Sequence, residues 1–401
     1  MFILAAALMA CQPQTREPEP VEPAATDTVA DDWNSQSTEF VDGTSNEEWQ
    51  NTLFDLEAVH VLNLTIQQGN YDALRLEPEE WVPADLEWQG MVFKQVGVRL
   101  KGNGSFQPID LKPSLKIEFD TFGGADAFGL DKIVLNNMTS DPAGVREVTA
   151  YHLYRSMGVP AVRATHAELH INGLYRGVYT LMEDVQLRTF EPWGLREDGW
   201  LAEMFDAEFQ VGSLSGFQHE DGNLLSSGVF ATTDALELED DGEAFAALES
   251  TVDMEAFLAF YAVSALVGQF DAYPYRSPGD DVHVYTDPVT EKLSFIPHGL
   301  DETFNDPARH MAMGPGLLAS RCYFNPDCQA RLNQQMWATM DTFEAIGVSD
   351  FMQHQFEKIQ PARAQEPLFN PTEAAGHLVL IKAFADGRSD DLLDDMGPRI
   401  P

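Results

Sequence analysis

The sequence predicts an α+β fold with two unequal lobes. Its first half reads as alternating strands around one helix, its second half reads mostly as helices, and no Gly/Ser linker or internal repeat divides the region after residue 49. With 401 residues, 44% hydrophobic and 10% aromatic, the chain is long enough to bury a sizeable core.

Taken in order, "HVLNLTI" (60–66) alternates as a half-buried strand does, and "NYDALRL" follows as a short helix. "MVFKQVGVRLKGNGS" is a long strand ending in a turn of small residues. "PSLKIEFD" alternates again, with Leu115, Ile117 and Phe119 on one face and Lys116 pointing the other way. In "GVREVTAYHLYRSMG" Val145, Val148, Leu153 and Met157 recur near helical spacing, and Gly158 suits the C-terminal cap. Asn172-Gly173 between two alternating runs predicts a type I′ hairpin. Beyond it, "GEAFAALES" and "DMEAFLAFYAVSALVGQF" are helices, the second apolar enough for a core. A hairpin "VHVYTDPVTEKLSFIP" turns near Asp287-Pro288, helices fill 326–345, 347–360 and 372–386, and residues 391–401 form a tail expected to fray.

The formal charge of -41 excludes nucleic acid as a partner held by Lys and Arg on phosphates, and reflects solubility or a saline habitat. At the N-terminus a short apolar run ends in Leu8, Met9, Ala10 and Cys11, the hydrophobic-x-small-Cys form of a lipoprotein cleavage box. It is too short to span a bilayer, and because no Lys or Arg precedes it a start codon further upstream is expected; a frayed N-terminus of a cytosolic protein is the alternative. Residues 12–48, rich in Pro, Glu, Thr and Asp, read as a disordered tether. The expectation is an exported protein, periplasmic or at the cell surface, whose only membrane contact is a lipid on Cys11. Cys322 and Cys328 in "CYFNPDC" then remain to close a disulfide; two free thiols in a reducing compartment are the alternative.

"VRLKGNGSF", "KPSLKIEFD", "FGLDKIVLNNMTSDPAGVREVTAYHLYRSMGVPA", "HAELHINGLYRGVYTLMEDV" and "DPVTEKLSFIPHGLDETF" together resemble the spore-coat protein H (CotH-type) kinase family over roughly residues 55–345. The resemblance implies an atypical protein-kinase-like bilobal fold, with a strand-rich lobe over 49–183 and a mostly helical lobe over 184–390. It also implies binding of ATP with Mg2+ or Mn2+, and phosphorylation of Ser or Thr on a secreted or surface protein.

Phosphoryl transfer needs a phosphate cradle, a cation held by carboxylates and a carboxylate that orients the attacking hydroxyl. The turn Lys101, Gly102, Asn103, Gly104, Ser105 lets backbone amides approach an anion, and is equally an ordinary hairpin turn. The resemblance puts Lys116 on the α- and β-phosphates with Glu147 steadying it; a solvent-facing lysine and a first-turn glutamate account for the same residues. Glu183 marks the join of the lobes near the adenine. Asp271 takes the place of the catalytic carboxylate, and Asp281 and Asp301 those of the metal ligands.

Two elements depart from the family pattern. His298 and Gly299 replace the Trp and first Asp of a Trp-Asp-Leu-Asp element, and Glu203 stands where a Lys is usual. These departures support the alternative of an inactive surface binding or adhesion module. The acidic stretches "SPGDDVHVYTD" and "DDLLDD" lack the spacing of a calcium loop, and other nucleophile, zinc-helix and phosphate-loop motifs are missing.

Overall fold

The computed structural model describes residues 45–124, 127–223, 226–307 and 310–399; Cys11 and the expected signal segment lie outside the described residues. A capping box opens the first helix, α1 (Asn46–Leu53). Ser45 accepts from the Glu48 amide while Glu48 accepts from the Ser45 amide. The expected tether runs to residue 48, so its last three residues are helical, and the Ser-x-x-Glu signature is what announces it.

Strands β1 (Val59–Ile66), β2 (Val82–Trp88), β3 (Met91–Lys101), β4 (Ser114–Glu118), β5 (Lys132–Asn136), β6 (Ala164–Ile171) and β7 (Leu174–Glu183) close into a barrel. The order is β1-β2-β3-β4-β5-β7-β6. Every pair is antiparallel except β1 with β6, which seals the barrel in parallel. Helix α2 (Gln68–Leu76) joins β1 to β2, and α3 (Arg146–Ser156) joins β5 to β6. The β6–β7 turn is Asn172-Gly173 with both φ positive, 51° and 75°, as a type I′ hairpin requires.

Period-two alternation sorts the barrel strands. Val98 faces Ile117 and Leu100 faces Leu115, and all four are fully buried in the barrel core. The residues between them, Arg99 opposite Lys116 and Lys101 opposite Ser114, therefore point outward. The same rule turns Val134 and Asn136 of β5 and Thr180 and Met182 of β7 to the outer face, where α3 packs.

The rest is mostly helical around a second sheet. β8 (Trp200–Met204) and β9 (Phe217–Gly222) precede α4 (Ser227–Leu236), α5 (Asp241–Thr251) and α6 (Met254–Val267). Then β10 (Val282–Thr286) and β11 (Leu293–Pro297) complete an antiparallel sheet ordered β11-β10-β8-β9. The apolar α6 is buried nearly all round, as its composition predicts. Phe295 of β11 stacks on Tyr273 and Phe260, which fixes the strand that leads to Asp301. Its replacement by Ala costs about 3–5 kcal/mol.

Helices α7 (Leu317–Phe324), α8 (Pro326–Ile346), α9 (Val348–Arg363) and α10 (Pro371–Met396) finish the chain. The Cys322–Cys328 disulfide links the end of α7 to the first turn of α8, and both cysteines are buried. Its segment is a helix junction capped by Asn325 rather than an open loop. The expected frayed tail is also corrected. α10 continues to Met396 because Leu392 is fully buried and the Asp395 carboxylate accepts from the Met311 and Ala312 amides at 2.6 and 3.2 Å.

Candidate active site

A cleft of about 610 Å³ runs between the outer face of β3–β5 and the loops that leave α6 and β11. A smaller cavity of about 260 Å³ adjoins it, sharing Lys101, Gly102, Tyr151, Met182, Glu203 and His298. The small cavity has an apolar side made by Val134, Val162, Met182 and Val185, and charged residues elsewhere.

The strand-built wall carries cations. Lys101, at the end of β3, donates to the Asn136 side-chain oxygen at 2.9 Å, and the Asn136 amide donates to Glu147 at 2.6 Å. Burial lowers the Lys101 pKa, with the neighbouring Lys116 adding to the effect. Glu147, in the first turn of α3 and only 2% exposed, is pushed up to about 8, first by burial and then by Asp301. The expected Lys116–Glu147 pairing is not what forms. Lys116 sits one strand over from Lys101, and its ammonium pairs with Asp184 at 3.1 Å beside the small cavity. The lysine joined to Glu147 is Lys101, through Asn136.

Gly102, Asn103 and Ser105 line the cleft with Gly104 between them. Gly102 has φ +112°, and a side chain at Gly104 would meet nothing within 4 Å, so this backbone stands open. Asn137 pins the loop by donating to the Ser105 and Lys112 carbonyls, both at 3.0 Å. Glu183 lines the small cavity, but its carboxylate is taken by Arg163, through the backbone amide at 2.7 Å and the guanidinium.

The opposite wall carries carboxylates on loops. α6 ends at Gly268, φ +67°, and turns the chain toward Asp271, whose side chain is about half exposed at the lip. Arg276 reaches Asp280 at 2.7 Å, Asp206 at 3.0 Å and Asp271 at 3.5 Å. Asp281 precedes β10 with φ +50° and is pushed up to about 8, chiefly by burial, then by Asp280, Asp271, Asp301 and Glu203. Asp301 lies in the short helical turn Leu300–Glu302, and its carbonyl accepts from Arg146 of α3 at 3.3 Å. Gln269 ties the two loops, donating to the His298 and Gly299 carbonyls at 3.0 and 2.9 Å.

The structure thus brings Lys101, Gly102, Asn103, Ser105, Glu147, Asp271, Asp281 and Asp301 to one cleft, with Lys116 and Glu183 on the adjoining cavity. Sequence reasoning missed Asn136, Gln269, Arg276 and Asp184. Asn136 was legible by alternation two residues after Val134; the others sit in loops with no periodic signal. Glu203 borders both cavities, and burial followed by Glu220 raises its pKa. His298 packs edge-on to His283 at 4.9 Å, and burial keeps both imidazoles neutral.

Among the described residues no group of three or more His, Cys, Asp or Glu converges as a metal site. Asp281 and Asp301 nevertheless border one cleft, and the proximity of Asp301 is among the causes of the raised Asp281 pKa. Two carboxylates fit a magnesium ion, which commonly takes one or two protein carboxylates and fills its octahedron with phosphate oxygens and water.

The family model "CotH kinase protein" matches residues 98–374. Invasin CotH2 of Rhizopus delemar is 24% identical over 257 residues, which is 55% of this chain and 42% of that protein. The chain therefore spans about two fifths of the length of this curated relative. Among solved structures, the Helicobacter pylori proinflammatory kinase CtkA aligns over 71% of this chain and 92% of its own, with 9% identity and a TM-score of 0.31. With most of its length matched by that model, the chain belongs to the CotH kinase protein family.

Proposed function

We propose that this chain is a kinase that moves the γ-phosphoryl group of ATP to a Ser or Thr hydroxyl of an exported protein, on an atypical protein-kinase-like bilobal fold. The observation that carries the reading is the opposition of the cleft's walls. Lys101 and the open 102–105 backbone face the carboxylates Asp271, Asp281 and Asp301. Membership of the CotH kinase family supports it.

In this reading the base enters the small cavity against Val134, Val162, Met182 and Val185, and Lys101 with the glycine turn holds the phosphates. A magnesium or manganese ion, when bound by Asp281 and Asp301, neutralises charge on the phosphate oxygens. Asp271 stands at the exposed lip, where a protein hydroxyl arrives from solvent. It takes the proton as the new oxygen–phosphorus bond forms and the bond from the γ-phosphorus to the β–γ bridging oxygen breaks, releasing ADP. Arg276 holds Asp271 in the rank of carboxylates with Asp206 and Asp280.

Export with a lipid on Cys11 belongs to the same proposal. The apolar run before Cys11 and the buried Cys322–Cys328 disulfide support it. Among the described residues no helix is long and apolar enough to cross a membrane.

The test is incubation of the purified protein with labelled ATP, Mg2+ or Mn2+ and a generic protein acceptor. Label should pass to the acceptor or to the chain itself and vanish in Asp271→Ala. The second reading, an inactive binding module, is favoured by Glu203, a carboxylate bordering both cavities where phosphates are expected. It predicts no change in Tm on adding ATP and metal at millimolar concentration, and no labelling in either protein.

A further inference from the structure

Asp281 and Gly299 come from different strands' ends yet compete for one place. A Cβ built on residue 299 lies 2.4 Å from the Asp281 carboxyl carbon, 2.4 Å from one of its oxygens and 2.8 Å from the other. Such separations are far inside van der Waals contact. The two residues are locked together by backbone. Asp281 has φ +50° and Gly299 φ +59°, the His298 amide donates to the Asp281 carbonyl at 3.2 Å, and Gln269 clamps the carbonyls of His298 and Gly299. The Asp281 side chain is short, with a single carbon between its carboxyl group and a backbone fixed by these ties, so a small rotation does not clear the place.

We propose that Gly299 is a positioning residue for Asp281: the two positions share a single side-chain volume beside Asp301, and in this chain the carboxylate that fills it is delivered from the start of β10. The glycine beside Asp301 is then not a vacancy in the cleft. It is the room that the Asp281 carboxylate occupies, and the cleft keeps two carboxylates at this spot. The metal arm of the test below rests on the kinase reading; the stability arm does not.

The experiment is a double-mutant cycle read without ligand and then with Mn2+ alone. In the wild-type background Gly299→Ala should lower Tm by about 3–5 °C, from the collision and the left-handed backbone together. In an Asp281→Ala background the collision is gone, so the same substitution should cost about half as much or less. Equal losses in both backgrounds overturn the proposal. For the exchange of carboxylates, Asp281→Ala alone should weaken Mn2+ binding at least about 10-fold, and Asp281→Ala with Gly299→Asp should return it to within a few-fold of wild type. Failure of that rescue, in a wild type that binds Mn2+, also overturns the proposal. If the wild type binds Mn2+ neither alone nor with ATP, the kinase reading falls and the ligand-free cycle still decides the shared volume.

Discussion

The wall of the cleft that carries Lys101 and Lys116 and the wall that carries Asp271, Asp281 and Asp301 are held by different physics. Each lysine occupies a regular position on paired antiparallel strands, with Val98, Leu100, Leu115 and Ile117 buried behind it. Moving either one means breaking the barrel. The carboxylates stand on a helix exit, a residue with positive φ and a single helical turn, tied by Gln269 and Arg146. Each tie is a hydrogen bond with a net worth of about 0.5–1.5 kcal/mol for the Gln269 amide and about 1.5–3 kcal/mol for the Arg146 guanidinium, so this wall can be retuned by single substitutions that leave the fold intact.

The largest effect expected separates chemistry from scaffolding on the carboxylate side. Asp271 is exposed and holds no structural element, so Asp271→Asn should leave Tm within about 1 °C while phosphoryl transfer falls about 10³-fold. Loss of fold in this variant would show that the two walls are not separable in this way.

The second effect sets the two lysines against each other. Lys101 borders the main cleft and connects to Glu147, while Lys116 is already paired with Asp184. Lys101→Met should weaken ATP binding about 10–100-fold, the range of one charge-assisted contact, and Lys116→Met by several-fold less. Titration of the ATP-induced Tm shift measures both. The reverse order would restore Lys116 to the role the family resemblance gives it.

The strand wall was largely legible in the sequence and the loop wall was not. Alternation in "PSLKIEFD" turns Lys116 out of the barrel, and the small residues of "KGNGS" announce a turn. Alternation also identifies which lysines face outward but not their partners. The choice between Lys101 and Lys116 for Glu147 depends on where α3 docks, and that is a packing outcome. On the other wall Asp271, Asp281 and Asp301 are recognisable one at a time, through the family resemblance. Their mutual arrangement depends on the left-handed residues Asp281 and Gly299 and on Gln269 reaching across 29 and 30 residues to two carbonyls, which no local pattern encodes. The frayed tail failed for a related reason. Repeated aspartates in "DDLLDD" mask Leu392, whose burial is decided by helices far away in sequence.

A third, smaller effect tests the link inside the strand wall. Asn136→Ala removes the bridge between Lys101 and Glu147 and leaves both without that partner, at a cost of about 1–3 kcal/mol in denaturant unfolding. Asn136→Asp should instead place a carboxylate against both groups, raising the pKa of Glu147 and of Lys101 and so moving the pH at which activity is half-maximal upward. Unchanged stability in Asn136→Ala would mean that water or Thr180 replaces the bridge.

The last effect is a change of slope with pH at Glu147, which is felt only as the pH is varied. Folding raises its pKa from the ordinary 4.5 to about 8, so the folded protein holds this proton more tightly than the unfolded chain does. The resulting stability is complete below pH 4.5 and is lost as pH rises through 8. Glu147→Gln keeps the shape and cannot titrate. Its stability relative to wild type should therefore grow across that window, by up to about 5 kcal/mol for a shift of that size, then level off above pH 8. Urea unfolding at pH 5, 7 and 9 measures it. A difference that stays flat across the three would show a carboxylate that remains charged beside Lys101, and the strand wall would then contain a direct ion pair in place of the asparagine bridge.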